Sequence, residues 1–310
     1  MTITSPINYQ PTGALVVLRD LQQLRLLAKP HLKFSKKSSS AIASGQHRSR
    51  AVSRGMEFEE VRLYQAGDDV RNIDWRVTAR TQQTHTKCYR DEKEKPVITF
   101  VDQRRSTFFG SHYCFKSVYA CYLSALINWS TLARGDRAGG LVLGSFSMQE
   151  IRPARSNKTV NRWLQTLTNA NHKIDINSAH AEPSLSQGLK QLEHITHSGT
   201  ECIVISDCYD LDLDCEKILH QLSRAHSIAL YWLVDPLEKT LPSLENITLS
   251  DGYQKKTVSI DKKSQKKQYQ QFTDKQKLIE SLCRRLSIQL VIVDISLPLS
   301  DFIDVTKRMA

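Results

Sequence analysis

Short, unbroken apolar runs recur from residue 97 onward, each separated from the next by a helical stretch, and this alternation constrains the fold more than any other feature. The runs are residues 97–101, 139–143, 202–206, 228–234 and 290–293, with 147–151 as an edge strand. Between them, residues 113–132, 159–168, 185–195, 213–225 and 275–286 read as helices, the first apolar nearly all round and therefore buried. A strand with one wet face alternates polar and apolar residues, whereas one that is apolar throughout is covered on both faces. Such strands alternating with helices predict an α/β fold with a mostly parallel sheet. In sheets of this kind the working site lies at the carboxyl ends of the strands, where Asp102 and Asp207 stand.

The first third of the chain has a different texture. Leucines 15, 18, 21, 24 and 27 are spaced by three and predict a short amphipathic helix, ended by Pro30. Residues 34–46 are rich in Lys and Ser and read as a linker. Residues 44–96 are dense in charge, with strands expected around residues 58–64 and 84–89 and a turn at residues 66–69. Asp69 is a plausible cap there for a turn of helix over residues 71–75. So many ions cannot form a core of their own, and the segment is expected to pack on the larger domain. The expected divisions are thus 1–43, 44–96 and 97–310.

The formal net charge is +11, and residues 1–96 hold 17 Lys or Arg against 10 Asp or Glu. That surplus suits nucleic acid, an anionic membrane surface or an acidic protein without choosing among them. Seven cysteines without a Cys-x-x-Cys pair point to a reducing compartment. Residues 1–12 lack an apolar signal core, and the longest apolar stretch, residues 118–129, is too short to span a bilayer. The expectation is a soluble, cytoplasmic protein. No Walker-type loop, nucleophile elbow or His/Cys metal spacing is present.

Two clusters carry chemistry. The first comprises Glu57, Glu60, Arg62, Asp68, Asp69, Arg71, Asp74, Trp75, Arg76 and Arg80. Arginine and carboxylate pair in bidentate fashion, so Arg71, Arg76 or Arg80 is expected to pair with Asp68, Asp69, Asp74 or Glu57. The cluster is either structural or a partner-binding surface, and its acids could also hold a hard divalent cation. The second cluster is the strand-end pair Asp102 and Asp207 with Arg104 and Ser106, a pattern related to a Mg²⁺ or Mn²⁺ site.

One long motif makes the chain recognisable. Ser44-Gly45-x-His47-Arg48-Ser49-Arg50 is followed by Gly55-Met56-Glu57-Phe58-x-Glu60-x-Arg62-x-Tyr64. Then comes Gly67-Asp68-Asp69-x-Arg71-x-Ile73-Asp74-Trp75-Arg76-x-Thr78-Ala79-Arg80. With Lys87, Glu92, Gly110, Lys116, Gly135-Asp136-Arg137, Asp235-Pro236-x-Glu238 and Pro242, the chain resembles the domain of unknown function 58 family. The resemblance implies a von Willebrand factor A-like, Rossmann-like domain, and action with MoxR-type AAA+ ATPases in maturation or assembly of other proteins. Metal-binding von Willebrand factor A-like domains use Asp-x-Ser-x-Ser after the first strand, then a Thr and an Asp from later loops. Here Arg104 stands at the first Ser position and Pro183 at the Thr position, while Asp102, Ser106 and Asp207 remain. The implied site is therefore degenerate, with Arg104 an internal substitute for the cation.

The functional expectation is a non-enzymatic protein-binding adaptor or assembly factor without metal or cofactor, binding an AAA+ ATPase of MoxR type rather than nucleic acid and not inserted in a membrane. The alternatives are a divalent-metal catalytic module using the carboxylates of residues 57–74, which needs acids free of arginine, and a nucleic-acid-binding protein, which needs Lys and Arg clustered on one face.

Overall fold

The computed structural model describes residues 10–30, 32, 34, 56–91, 94–174, 181–241, 247–250, 255–258 and 262–300; among these, 56–60, 88–91, 247–250, 255–258, 262 and 264 are described as backbone alone. Two compact units are present, one of residues 1–38 and 95–310 and one of residues 39–94.

The large unit is built on a six-stranded sheet. Its strands are β3 (Pro96–Gln103), β4 (Arg137–Gly144), β5 (Met148–Ala154), β6 (Glu201–Ser206), β7 (Ser227–Val234) and β10 (Gln289–Asp294), in the spatial order β10-β7-β6-β3-β4-β5. All neighbours are parallel except β5, which returns antiparallel along β4 after a tight turn. The mostly parallel α/β sheet expected from the apolar runs is therefore what forms. The order moves outward from β3 through β4 and β5, then returns to its other side with β6. The reversal falls between β3 and β6, so a crevice is expected where Asp102 and Asp207 end those strands.

Helices cover both faces. On one lie α1 (Leu18–Gln23), α3 (Lys116–Ala133) and α4 (Asn157–His172). On the other lie α5 (Leu185–Ile195), α6 (Leu213–Ala225) and α8 (Lys262–Arg285). A four-residue helix α7 (Pro236–Lys239) follows β7, and a hairpin of β8 (Ile247–Ser250) and β9 (Lys255–Val258) precedes α8. None of the described helices is long and apolar enough to cross a membrane.

The all-round apolar character of α3 is explained by what covers it. Val16, Leu21, Leu24, Leu32 and Phe34 are fully buried in the same core cluster as its side chains. The indole of Trp129 donates to the Leu21 carbonyl at 3.1 Å, the Arg134 guanidinium to the Leu32 carbonyl at 2.7 Å, and the Tyr231 hydroxyl to the Phe34 carbonyl. The amino-terminal stretch thus belongs to the large unit rather than standing before it as a helix and linker; residues 35–46 lie outside the described residues. Close approach also fixes β4, because a Cβ at Gly140 would lie 2.4 Å from the Trp163 ring.

The small unit contains β1 (Met56–Leu63), α2 (Trp75–Thr81) and β2 (His85–Asp91), with β1 and β2 antiparallel and Asp69 capping a short 3₁₀ turn, Val70–Asn72. Both expected strands are present.

Candidate functional site

The crevice at the switch point is filled by two buried ion-pair networks. Asp102 closes β3 and is wholly buried; Arg104, two residues on, folds back over it. The Arg104 Nε donates to Asp102 Oδ1 at 2.9 Å and Nη2 to Asp102 Oδ2 at 2.8 Å, a bidentate pair. The other side of the guanidinium makes a second fork to Asp210, at 2.7 and 2.8 Å, and Nη1 also donates to the Pro183 carbonyl at 3.2 Å. A guanidinium has five N–H donors, and this geometry employs all of them. Ser206 Oγ completes the shell of Asp102 at 2.8 Å. Burial opposes charge on Arg104, but its bonds to Asp102 and Asp210 outweigh that and raise its pKa. Burial pushes the Asp102 carboxyl up, against the pull of Arg104. Burial also acts upward on Asp210, yet Arg104 and the Leu185 amide hold it below the usual carboxylate range.

Lys116, the first residue of α3, forms the second network. Its ammonium is as buried as the core around it and donates to Asp207 Oδ2 at 3.0 Å and Glu238 Oε1 at 2.9 Å. A cation at a helix N-terminus faces the positive end of the macrodipole, so the two carboxylates are needed there. Burial opposes the charge, and the carboxylates more than restore it, leaving the pKa raised. Glu238 is held by a capping box with Asp235, whose carboxylate in turn fastens the β3–α3 loop through Ser111. Ser106 Oγ and the Tyr209 amide take the remaining Asp207 oxygen, both at 3.2 Å.

This chemistry does not fit a divalent cation. Both oxygens of Asp102 and both of Asp207 already accept N–H or O–H donors, and Mg²⁺ demands near-octahedral oxygen ligation. Pro183 offers a carbonyl, and that carbonyl accepts from Arg104. Among the described residues, no group of three or more His, Cys, Asp or Glu is placed to hold a metal.

Of the strand-end residues read from sequence, Asp102, Arg104, Ser106 and Asp207 all meet here. Asp210 escaped that reading, and Lys116 and Glu238 were quoted only as parts of the family resemblance. The signal for Lys116 was a lysine opening a helix that is otherwise apolar all round: such a lysine must find carboxylates in the interior.

The small unit gathers the other cluster differently from expectation. Arg62 pairs with Asp68 at 2.8 Å, and Lys87 stands 3.7 Å from Asp74. Asp69 accepts the Arg71 amide, and Asp74 accepts the amides of Arg76 and Val77 as the N-cap of α2. Its backbone bonds are the first cause of the lowered Asp74 pKa. Among the described residues Arg71, Arg76 and Arg80 make no ion pair and are exposed, as is Trp75. The carboxylates had nearer demands, because a helix start leaves amides unsatisfied. Glu57 and Glu60 lie on β1, opposite Arg90 and Cys88, with their side chains outside the description. Residues 44–55, Glu92 and Pro242 lie outside the described residues.

A doubly covered, mostly parallel α/β sheet whose strand-end crevice is closed by internal cations is thus the class of protein that fold and site define. The sequence profile of the family described as "Protein of unknown function DUF58" matches residues 60–279, and the chain belongs to that family. The "Uncharacterized protein Rv1480" of Mycobacterium tuberculosis and "Uncharacterized protein Mb1516" of Mycobacterium bovis are each 27% identical over 221 residues, 70% of this chain and 67% of theirs. Among solved structures, the conserved hypothetical protein BatB from Bacteroides thetaiotaomicron superposes with a TM-score of 0.42 at 10% identity, over 69% of this chain and 97% of its own. The SpRpn10 VWA domain does so at 0.33 and 11%, over 66% and 93%.

Proposed function

We propose that the chain is a non-enzymatic protein-binding adaptor or assembly factor that docks its partner on the carboxyl end of the large sheet. One observation carries this reading: the loops there leave large apolar side chains in solvent around a centre whose carboxylates are already engaged. Phe109 and Tyr113 follow β3, Phe146 follows β4, Tyr209 and Leu213 follow β6, and Leu297 follows β10, with exposures between 38% and 76%. Exposed aromatics gathered around a desolvated polar centre have the composition of protein-interface hot spots. Taken by itself, the small unit also exposes Leu63, Val70 and Trp75, each by more than half. The family resemblance suggests the class of partner, a MoxR-type AAA+ ATPase acting in maturation of other proteins, and the exposed rim supports a docking role for this face.

The test is binding of the purified MoxR-type ATPase from the same cell to the parent and to a Phe146→Asp, Tyr209→Asp double variant, with and without ATP. Binding by the parent and loss in the variant, at unchanged melting temperature, is the expected result. Equal binding by both would put the contact elsewhere, and no binding by the parent would remove this partner.

A further inference from the structure

Helix α8 carries the densest positive charge in the large unit, and its arrangement is not that of an ordinary solvated helix. At 3.6 residues per turn, Lys263, Lys266, Lys267, Lys277 and Arg284 fall within an arc of about 100° and extend along about 30 Å of the axis. All five are exposed, and Asp274 is the single exposed acid on that side. The opposite side is locked down: Ile279, Leu282 and Cys283 are buried in the core, and Phe272 stacks on Trp232 with ring centroids 5.4 Å apart. Lysines on the helix are sorted by this geometry. Lys275 turns inward to the Asp207 carbonyl at 3.0 Å, and Arg285, which falls in the same arc, pairs with Glu216 of α6, while the five named above form one straight outward stripe.

We infer that this stripe is a docking surface for an anionic lipid bilayer, which the protein contacts peripherally, without insertion. Three features favour a bilayer over other polyanions. The stripe is straight and lies on a helix whose other side is packed, so it presents a plane of charge to a plane. Four of its five cations are lysines, compact point charges suited to diffuse attraction, whereas specific protein interfaces are depleted in lysine and enriched in arginine and aromatics. No aromatic lies within the arc of the stripe to stack bases, as single-stranded nucleic acid requires; Leu278, 55% exposed, borders one edge and Tyr269, 57% exposed, stands about 60° beyond the other, and both residue types suit the bilayer interface. Clusters of four to eight basic residues on an amphipathic helix are read by anionic headgroups in this way.

The experiment is co-sedimentation of the full chain with phosphatidylglycerol-containing vesicles and with pure phosphatidylcholine vesicles, at low and at raised salt. The parent is expected to bind the first and not the second, and to release as salt rises. A Lys263→Gln, Lys266→Gln, Lys267→Gln, Lys277→Gln variant is expected to melt like the parent and to bind about a thousand-fold more weakly. Salt release of the parent reads the same interaction without any substitution. Failure of the parent to bind anionic vesicles, or undiminished binding by the variant, would overturn the inference. So would binding of duplex DNA or poly-glutamate as tight as that of the vesicles, which would make the stripe a surface for another polyanion.

Discussion

Arg104 is the residue on which the strand-end face depends. Removing one partner of a buried pair leaves the others charged and unpaired, which typically destabilises by about 3–5 kcal/mol. Arg104→Met is therefore expected to lower the melting temperature clearly, by leaving Asp102 and Asp210 without their common cation. Adding Asp102→Asn should recover part of the loss, because it withdraws the charge buried deepest; a double variant as unstable as the sum of the two singles would refute the network. Calorimetric titration of the parent with MgCl₂ or MnCl₂ is expected to give no saturable heat. Saturable binding that disappears in Asp102→Ala would show that the cation displaces Arg104. Asp74 belongs to a weaker category: it caps α2 and, among the described residues, its ion-pair partner is Lys87 at 3.7 Å, so Asp74→Ala should lower the melting temperature modestly rather than collapse the small unit.

At the scale of elements, legibility followed capping and periodicity. Helices α5 and α6 begin where expected, because Ser184 and Asp212 cap them immediately ahead of strong apolar stripes. Helix α8 begins 13 residues earlier than expected, at Lys262 rather than Lys275, because its first turns are Lys and Gln with little to mark a buried side. Helix α2 went unread: the turn expected over residues 71–75 after Asp69 is the 3₁₀ turn Val70–Asn72, and the signal passed over was Asp74, which caps α2. The strand-end acids and Arg104 could be read from their places after apolar runs. Their partners could not, because Lys116 reaches across 91 residues to Asp207 and 122 to Glu238, a distance only the strand order closes. The packing of β4 against α4 yields its own prediction. Gly140→Ala would drive a methyl into Trp163, itself held by a 3.0 Å bond to Ser124, and overpacking of this kind costs about 1–3 kcal/mol. Thermal melts check it, and a neutral result would mean that the indole can swing aside.

The whole molecule should be acid-labile. Asp210 and Asp294 are held below the usual carboxylate range despite burial, the latter by Ser296 and Lys239. A carboxylate whose folded pKa is lowered contributes stability above its unfolded value of about 3.9, and that stability is lost as pH falls through the folded value. Melting temperature should thus drop below about pH 4, and less steeply in Asp294→Asn; an unchanged slope would exclude that pair as a cause. Asp102, raised by burial, works in the opposite sense. The six cysteines whose side chains are described are all buried, and burial pushes Cys202 and Cys283 up to about 12. In a Cys88→Ser background the thiols should react with an aromatic disulfide reagent only as fast as the molecule opens, so the reaction rate reports opening directly.

The amino-terminal segment has a consequence for the order in which the protein is made. Val16, Leu21, Leu24, Leu32 and Phe34 leave the ribosome long before the surfaces that bury them, α3 and β7, and the Tyr231 hydroxyl that donates to the Phe34 carbonyl is 197 residues downstream. During synthesis this greasy strap therefore waits without its seat while some two hundred further residues are translated, a matter of about ten to forty seconds at ordinary elongation rates. A chaperone that shields short apolar segments on nascent chains would find its substrate there, and the large unit can close its core only after β7 has emerged.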